Sequence, residues 1–257
     1  MLLAELPEAV VLTWDDHAVD WALFDAVVIR STWDYHAHLE QFLQWARSVA
    51  AVTALWNPLL LIEWNVDKRY LVELAASGVP IVPTEFVTVD DELPVCAGDV
   101  VVKPCVGAGS VGVRRFDDDP AGAHEHIGAL RARGAVPMVQ HYMAAVDDHG
   151  ETGMVFIGGT FSHAFRKEPI LASAVEFEAG MFAREQVAAT VPSPAERALG
   201  DLVIAALPPT AYARVDLLPT DAGPVLLELE VIEPSLFLHL DAAAPSRAAA
   251  AFRSLMR

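Results

Sequence analysis

The chain has 257 residues, of which 54% are hydrophobic and 20% charged, so it is a folded globular protein and not a disordered one. Its net charge of -18 argues against nucleic acid or an anionic membrane as a partner, because both require a basic face. Two cysteines do not form a disulfide framework, and this fits a cytoplasmic location. The longest apolar runs fall short of the roughly 20 residues that span a bilayer.

The first quarter of the chain predicts a small α/β domain. Apolar runs at Val10–Leu12 and Ala26–Ile29 predict buried strands, and the apolar spacing of Leu39–Ala51 predicts a helix. Val52–Leu55 predicts a further strand. A doubly wound unit normally begins with a strand and a helix before Val10, so either those elements are absent here or the chain starts late.

The remainder predicts an α+β body with antiparallel strands. Asp67–Ala76 is predicted as a helix that carries Lys68 and ends near Gly78, and Ser193 as the N-cap of a later helix. The other predicted helices are Ala121–Arg133, Pro194–Leu207 and Ala242–Met256. The predicted strands are Val100–Lys103, Val111–Phe116, Met138–His141, Gly153–Ile157, Phe161–Arg166, Ala211–Leu217 and Val225–Val231.

A glycine-rich segment, Gly107-Ala-Gly109-Ser-Val-Gly112, matches the GxGxxG pattern. A dinucleotide-binding loop would open a helix, but the β-branched stretch Val111–Phe116 predicts a strand, which disfavours a dinucleotide oxidoreductase. A Walker A loop also fails, because its lysine follows the glycines whereas Lys103 precedes them. We therefore predict a glycine hairpin that closes over phosphates with its backbone N–H groups.

Lysine is rare in this chain. Lys68, Lys103 and Lys167 are the three lysines among 17 cationic side chains, and the others are arginine. A compact ammonium group makes point-charge contacts with phosphate oxygens that the planar guanidinium does not reproduce. The position of Lys103 directly before the glycine hairpin therefore indicates phosphate binding.

Two charged pairs alternate along the last two predicted strands. Arg214 and Asp216 share one face of their strand, as do Glu228 and Glu230 on the next, because side chains alternate with a period of two. Three carboxylates that converge repel one another unless a cation lies between them. Oxygen ligands without histidine or cysteine suit Mg²⁺, and Arg214 would neutralise charge on a transferring phosphoryl group.

Together these features resemble the ATP-grasp ligases. The order and spacing are similar to bacterial glutathione synthetase, and the closer likeness is to the small ATP-grasp group that includes the D-cycloserine-forming ligase. The stretches that carry the first likeness, to glutathione synthetase, are Asn57-Pro58, Asn65-Val-Asp-Lys68 and Leu227–Ser235, and Val139-Gln-His-Tyr-Met143 contributes to the general likeness to ATP-grasp ligases. Those that carry the second are Arg30–Tyr35, Lys103–Ser110 and Phe161–Lys167.

The resemblance implies an ATP-grasp fold of mixed α/β and α+β class. It implies a small α/β amino-terminal domain at residues 1–62 and an ATP-grasp domain at residues 63–257. Two α+β subdomains of the latter grip ATP, with a lid at about residues 99–138. A stretch at residues 174–181 corresponds to a substrate-covering loop.

The resemblance also implies roles for individual residues. The residues implied to bind ATP are Lys68, Lys103, Gly107, Ala108, Gly109, Ser110, Gln140, Tyr142, Met143 and Glu151. Within this group the first two contact phosphates, Gln140 and the backbone of Tyr142 and Met143 hold adenine, and Glu151 contacts the ribose. The implied ligands of two Mg²⁺ ions are Asp216, Glu228 and Glu230.

The remaining implied roles concern catalysis and substrate. Arg166 and Arg214 are implied to stabilise an acyl phosphate and a tetrahedral intermediate. Arg30, Ser31 and Asp34 are implied to face the substrate. Lys167 is either a further substrate contact or a surface lysine at a strand end.

The implied activity is ATP-dependent ligation of a carboxylate and an amine, through an acyl phosphate, on a small amino-acid-like substrate. The product is a strained ring or a small peptide. Two alternatives remain within the fold: a non-catalytic ATP-binding protein with an incomplete amino-terminal domain, and a kinase that releases the phosphorylated substrate. Homo-oligomers are common among such enzymes, so a homo-oligomer is a further expectation.

Overall fold

A computed structural model describes residues 1–88, 90–168 and 186–255. Within these ranges, strands form a two-stranded, a four-stranded and a five-stranded sheet. The strands are β1 (Ala26–Val28), β2 (Ala54–Trp56), β3 (Thr84–Phe86), β4 (Val100–Pro104), β5 (Arg114–Phe116), β6 (Pro137–His141), β7 (Glu151–Ile157), β8 (Thr160–Lys167), β9 (Val187–Thr190), β10 (Tyr212–Leu218) and β11 (Val225–Glu230). The helices are α1 (Leu2–Glu5), α2 (Leu39–Ala50), α3 (Leu59–Asn65), α4 (Tyr70–Ala76), α5 (Pro120–Ala132), α6 (Ala145–His149), α7 (Pro194–Ala205) and α8 (Ala244–Ser254).

The amino-terminal region is built on the parallel pair β1–β2. Helix α2 buries Phe42, Ala46 and Val49 on one face against this region, as the helical spacing predicted. The prediction of a strand at Val10–Leu12 is wrong: these three residues are 63%, 75% and 41% exposed and lie outside the strands of the described sheets. An apolar run becomes a strand only where a neighbouring strand can pair with it.

The four-stranded antiparallel sheet has the order β3-β6-β4-β5, and α5 packs against it. Strands β4 and β5 pair directly, with Val102 opposite Arg114. The glycine segment therefore connects two antiparallel strands, which confirms the predicted hairpin. A side chain at Gly112 would meet the ring of Pro104 at 3.3 Å, and its φ of +75° lies in the left-handed region that favours glycine.

The five-stranded antiparallel sheet, in the order β11-β10-β7-β8-β9, carries helices on both faces. Met154 and Phe156 pack in one cluster with Leu199 and Val203 of α7. Phe165 and Tyr212 pack in another with residues of α8. Helix α7 begins at a capping box, in which the Ser193 hydroxyl accepts from the Glu196 amide, as the predicted N-cap requires.

The predicted carboxylate hairpin is confirmed, whereas the predicted helical position of Lys68 is wrong. The hairpin β10–β11 pairs Asp216 with Glu228 and Arg214 with Glu230, so the predicted shared face is confirmed. Lys68, by contrast, does not lie on a helix but in the turn between α3 and α4, where its amide donates to the Cys105 carbonyl at 3.0 Å.

Among the described helices, none combines the length and apolarity that a membrane crossing would need.

Candidate active site

A cavity of about 530 Å³ receives side chains from the four-stranded sheet, the five-stranded sheet and the amino-terminal region. Most of the predicted site residues line it. They are Lys68, Lys103, Gly107, Ala108, Gly109, Ser110, Gln140, Tyr142, Met143, Glu151, Lys167, Arg214, Asp216, Glu228 and Glu230. The fold therefore gathers residues that are up to 162 positions apart in sequence into one pocket.

Arg214 lies at the centre of the predicted carboxylate hairpin. Its guanidinium Nε and Nη2 atoms donate to the Asp216 carboxylate at 2.7 to 3.0 Å, and Nη2 also contacts Glu230. Both Arg214 and Asp216 are buried. The planar guanidinium can bind two carboxylates at once, so the protein supplies its own cation between acids that would otherwise repel one another.

Lys68 connects the carboxylate hairpin to the glycine hairpin. Its Nζ atom lies 3.0 Å from Glu228 Oε1 and donates to the Gly107 carbonyl, also at 3.0 Å. Burial alone would raise the pKa of Glu228, but the charges of Lys68 and Lys103 outweigh it and lower the pKa to about 2. Glu228 is therefore an anion at neutral pH.

Lys103 has no such partner. It is 7% exposed on β4, and its ammonium group makes no hydrogen bond or ion pair with the described residues. Burial therefore lowers the pKa of Lys103, even though the Glu228 charge acts in the opposite direction. A buried cation without a counter-ion beside a glycine hairpin is a site for an anion.

Glu151 and Lys167 form a further ion pair in the cavity. Strands β7 and β8 place them directly opposite each other, and Lys167 Nζ lies 3.0 Å from Glu151 Oε1. Both side chains are largely buried. The alternative that Lys167 is a surface lysine is therefore wrong.

The end of the cavity at strand β6 is less charged. Gln140 is buried and its Nε2 atom donates to the Thr84 hydroxyl at 2.9 Å. The amide of Tyr142 donates to the Asp99 carbonyl at 2.9 Å. The amide of Met143 makes no hydrogen bond with the described residues, so it is available to a ligand.

Arg166 is not among the residues that line the cavity. It pairs with Thr152 across β7 and β8, and its Nη1 atom lies 3.8 Å from Glu196 on α7. Successive side chains of a strand point to opposite faces, so Lys167 can face the cavity only if Arg166 faces away from it. The structure therefore does not support the expected catalytic role of Arg166.

The expected substrate residues Arg30, Ser31 and Asp34 also lie away from the cavity lining. The Arg30 guanidinium lies over the Tyr212 ring, 5.0 Å from its centre, and Asp34 accepts from the Trp14 indole at 3.2 Å. Ser31 is exposed. The expected substrate-covering loop at residues 174–181 lies outside the described residues.

Three residues outside the expected substrate set line the cavity: Trp33, Tyr35 and Glu233. The first two belong to the stretch that suggested Arg30, Ser31 and Asp34. The third follows β11 within the stretch Leu227–Ser235, where an acidic residue next to a proline was visible in the sequence.

The carboxylates do not form a ready metal centre. Within residues 1–88, 90–168 and 186–255, no group of three or more His, Cys, Asp or Glu side chains lies close enough together to hold a metal ion. The expected convergence of Asp216, Glu228 and Glu230 is therefore incomplete, because Arg214 and Lys68 bind to them. The donor set still consists of carboxylate oxygens, which are the ligands that Mg²⁺ prefers.

Comparison with known proteins gives the family. Residues 2–57 match the family model of the amino-terminal domain of the D-cycloserine synthetase DcsG. The cycloserine biosynthesis protein DcsG of Streptomyces lavendulae is 35% identical over 249 residues, which is 90% of this chain and 83% of that protein. The crystal structure of D-cycloserine synthetase DcsG matches with a TM-score of 0.89 and 32% identity, over 100% of this chain and 93% of that one.

More distant structures share the fold. D-alanine–D-alanine ligase from Bacillus anthracis, in complex with ATP, has a TM-score of 0.65 at 16% identity, over 91% of this chain and 79% of that one. The ATP-grasp ligase PsnB, in complex with a variant of its minimal precursor, Mg and ADP, has a TM-score of 0.58 at 18% identity, over 91% and 78%. These matches confirm the expected fold, and the chain belongs to the DcsG family of ATP-grasp ligases.

Proposed function

We propose that this ligase activates the carboxylate of a small amino-acid-like substrate with ATP in the 530 Å³ cavity, and that an amine of the substrate then closes a ring. The observation that carries the proposal is the buried ammonium of Lys103 beside the glycine hairpin, which forms no pair with the described residues. A charge in this position is costly unless an anion binds to it. The phosphates of ATP supply that anion.

The charges that line the cavity favour one orientation of ATP. Its phosphates lie between Lys103, Lys68 and the amides of the glycine hairpin, and adenine lies at strand β6. There the free amide of Met143 donates to a ring nitrogen, and the buried Gln140 lies in the adjacent wall. Glu151, whose side chain lies 3.0 Å from Lys167 Nζ, accepts from a ribose hydroxyl.

Mg²⁺ would be held by oxygens of Asp216, Glu228 and Glu230. When bound, it supplies positive charge that neutralises the transferring phosphoryl group. The chain must first withdraw Arg214 and Lys68 from these carboxylates, which ATP assists because its phosphates attract the same two cations. Arg214 and Lys68 then no longer pair with these carboxylates and instead bind the substrates.

The reaction is carboxylate activation. A substrate carboxylate oxygen attacks the γ-phosphorus, ADP leaves, and an acyl phosphate forms. The amine nitrogen then attacks the carbonyl carbon, the tetrahedral intermediate expels phosphate, and the nitrogen releases a proton. Arg214 stabilises the negative charge of that intermediate, and a closed cavity excludes the water that would hydrolyse the acyl phosphate.

The test is ADP release from Mg-ATP with a panel of amino acids, O-ureidoserine and small dipeptides. Hydroxylamine is present to trap the acyl phosphate as a hydroxamate. We expect substrate-dependent ADP and hydroxamate, and their loss in Asp216→Asn and Glu228→Gln. Asp201→Asn is the matched control, because this exposed aspartate pairs with Arg197 on the surface of α7, away from the cavity lining. Normal turnover in both site variants would refute the proposal, and ADP without hydroxamate would favour a kinase.

We further propose that the enzyme works in the cytoplasm, where ATP is supplied and thiols stay reduced. Both cysteines are free and buried, which fits that compartment. The proposed partner is the small-molecule substrate, and a homo-oligomer is consistent with the family. Size-exclusion chromatography with light scattering would measure the oligomeric state.

A further inference from the structure

Glu233 carries a buried carboxyl group that forms no ion pair within the described part of the chain. It follows β11, is 8% exposed and lines the cavity. Its side chain makes no hydrogen bond or ion pair with the described residues, whereas Asp216, Glu228 and Glu230 each contact a lysine or an arginine. A buried charge of this kind requires either a proton or a ligand of opposite sign.

The position of Glu233 is fixed by its backbone. The indole N–H of Trp33 donates to the Glu233 carbonyl at 3.1 Å, which joins the amino-terminal region to the end of the carboxylate hairpin. The backbone of Glu233 is therefore anchored beside Trp33, and its side chain starts from a fixed point in the cavity wall.

The surroundings of Glu233 favour an organic cation over a metal ion. Trp33 and Tyr35 line the same part of the cavity. After burial, the Glu233 charge is the largest single cause that raises the pKa of Tyr35, so the phenol and the carboxylate are close. Aromatic faces attract ammonium groups, whereas Mg²⁺ demands a full shell of oxygen ligands and retains water.

We propose that Glu233 binds the ammonium group of the substrate, and so selects an acid that carries a free amine as well as the reacting carboxylate. Lys103 and Glu233 then have complementary tasks: the first receives the anionic phosphates of ATP and the second a cationic group of the acceptor. The proposal rests on the proposed function, because it assigns a place to one group of that amino-acid-like substrate.

The test is a cycle of two proteins and two substrates. Wild type and Glu233→Gln are assayed with O-ureidoserine and with its analogue that lacks the α-amino group, at saturating Mg-ATP and with hydroxylamine present. If another acid of the panel is the one activated, that acid and its deaminated analogue replace them. Glutamine keeps the shape of the side chain and removes the charge, and exposed Glu125→Gln on α5 is the control.

We expect Glu233→Gln to raise KM for the amino acid by about tenfold to a hundredfold, which is the usual worth of a hydrogen bond between charged groups. KM for the deaminated analogue should be equally high in both proteins. KM for ATP and the Mg²⁺ concentration for half-maximal rate should stay at wild-type values. Glu233→Asp, which keeps the charge on a shorter side chain, should recover part of the loss.

Three results would overturn the inference. An unchanged KM for the amino acid would show that its amine binds elsewhere, and a shifted Mg²⁺ requirement would make Glu233 a metal ligand. A fall in kcat with unchanged KM would place it in the chemical step. These failures differ from failure of the proposed function, in which wild type itself releases no ADP with any acid. Thermal unfolding of each variant verifies that it is folded.

Discussion

Replacement of Lys103 by methionine separates ligand binding from folding. Methionine has nearly the length of lysine but no charge, so Lys103→Met removes the buried ammonium and little else. We expect ATP to bind more weakly while the free protein becomes more stable. If replacing a residue stabilises the apo protein but lowers its affinity for ATP, that residue serves ligand binding and not folding.

The magnitudes follow from the environment of the ammonium group. A hydrogen bond to a charged group contributes about 1.5–3 kcal/mol, so ATP affinity should fall by roughly tenfold to 150-fold. An unsatisfied buried group costs about 1–3 kcal/mol, and each kcal/mol corresponds to about 2–4 °C in Tm for a chain of this size. The apo variant should therefore melt several degrees above wild type.

The pH dependence gives a second check. Burial lowers the folded-state pKa of Lys103 below 10.5, so the folded protein bears the cost of its charge at neutral pH. That cost disappears as pH rises through the lowered pKa towards 10.5, because the amine is then neutral in both states. The stability difference between Lys103→Met and wild type should thus be present at pH 7 and shrink at higher pH.

Isothermal titration with a non-hydrolysable ATP analogue measures the affinity, and calorimetric unfolding of the apo proteins measures the stability. Lys103→Arg is the matched variant, since it keeps the charge but enlarges the head group in a buried position. Equal ATP affinity in wild type and Lys103→Met would refute the reasoning. A large loss of apo stability in the methionine variant would do so as well, since it would mean that the ammonium group has a structural partner.

Three further predictions concern stability. The lowered pKa of Glu228, about 2 against 4.5 in the unfolded chain, should contribute on the order of 3 kcal/mol above pH 4.5. That contribution should be lost as pH falls from 4.5 to 2, and Glu228→Gln should flatten the unfolding free energy over that interval in acid titrations followed by circular dichroism. Arg214→Gln leaves the buried Asp216 without its cation and should destabilise the apo protein by about 3–5 kcal/mol in urea, whereas a neutral effect would mean that the pair is unimportant to folding. Asn57 is fully buried and its side-chain amide makes three hydrogen bonds to backbone groups at positions 211, 212 and 231, so Asn57→Ala should cost about 3 kcal/mol in the same assay; a cost below about 1 kcal/mol would contradict this.

Local patterns in the sequence anticipated many of the secondary-structure elements. The apolar spacing of α2 and the capping box of α7 depend on residues three or four positions apart, which a reader of the sequence can see. The period of two likewise placed Arg214 and Asp216 on one face of their strand and Glu228 and Glu230 on one face of the next. The register of the hairpin then set Asp216 opposite Glu228. The glycine hairpin was also predicted from the sequence, because it connects two strands that are adjacent along the chain.

Elements that depend on distant partners were not visible. Val10–Leu12 has the composition of a strand but pairs with none of the strands in the described ranges. Arg166 and Lys167 were both considered for the site, although neighbouring residues of a strand point in opposite directions. The packing of α7 decides that Arg166 faces Glu196 and Lys167 faces the cavity. The domain division near residue 62 stays a prediction, as do the individual roles of the site residues.

The sequence by itself was enough to infer the family and to single out the three lysines and the charged pairs of the hairpin, because each of these features is encoded in residues close together along the chain. Tertiary structure decided which charges are paired. Lys68 reaches Glu228 across 160 positions, and Arg214 neutralises Asp216 and Glu230, whereas Lys103 and Glu233 are left without counter-ions among the described residues. The cost of a buried charge depends on what lies within a few ångströms of it, and only the folded chain fixes those neighbours.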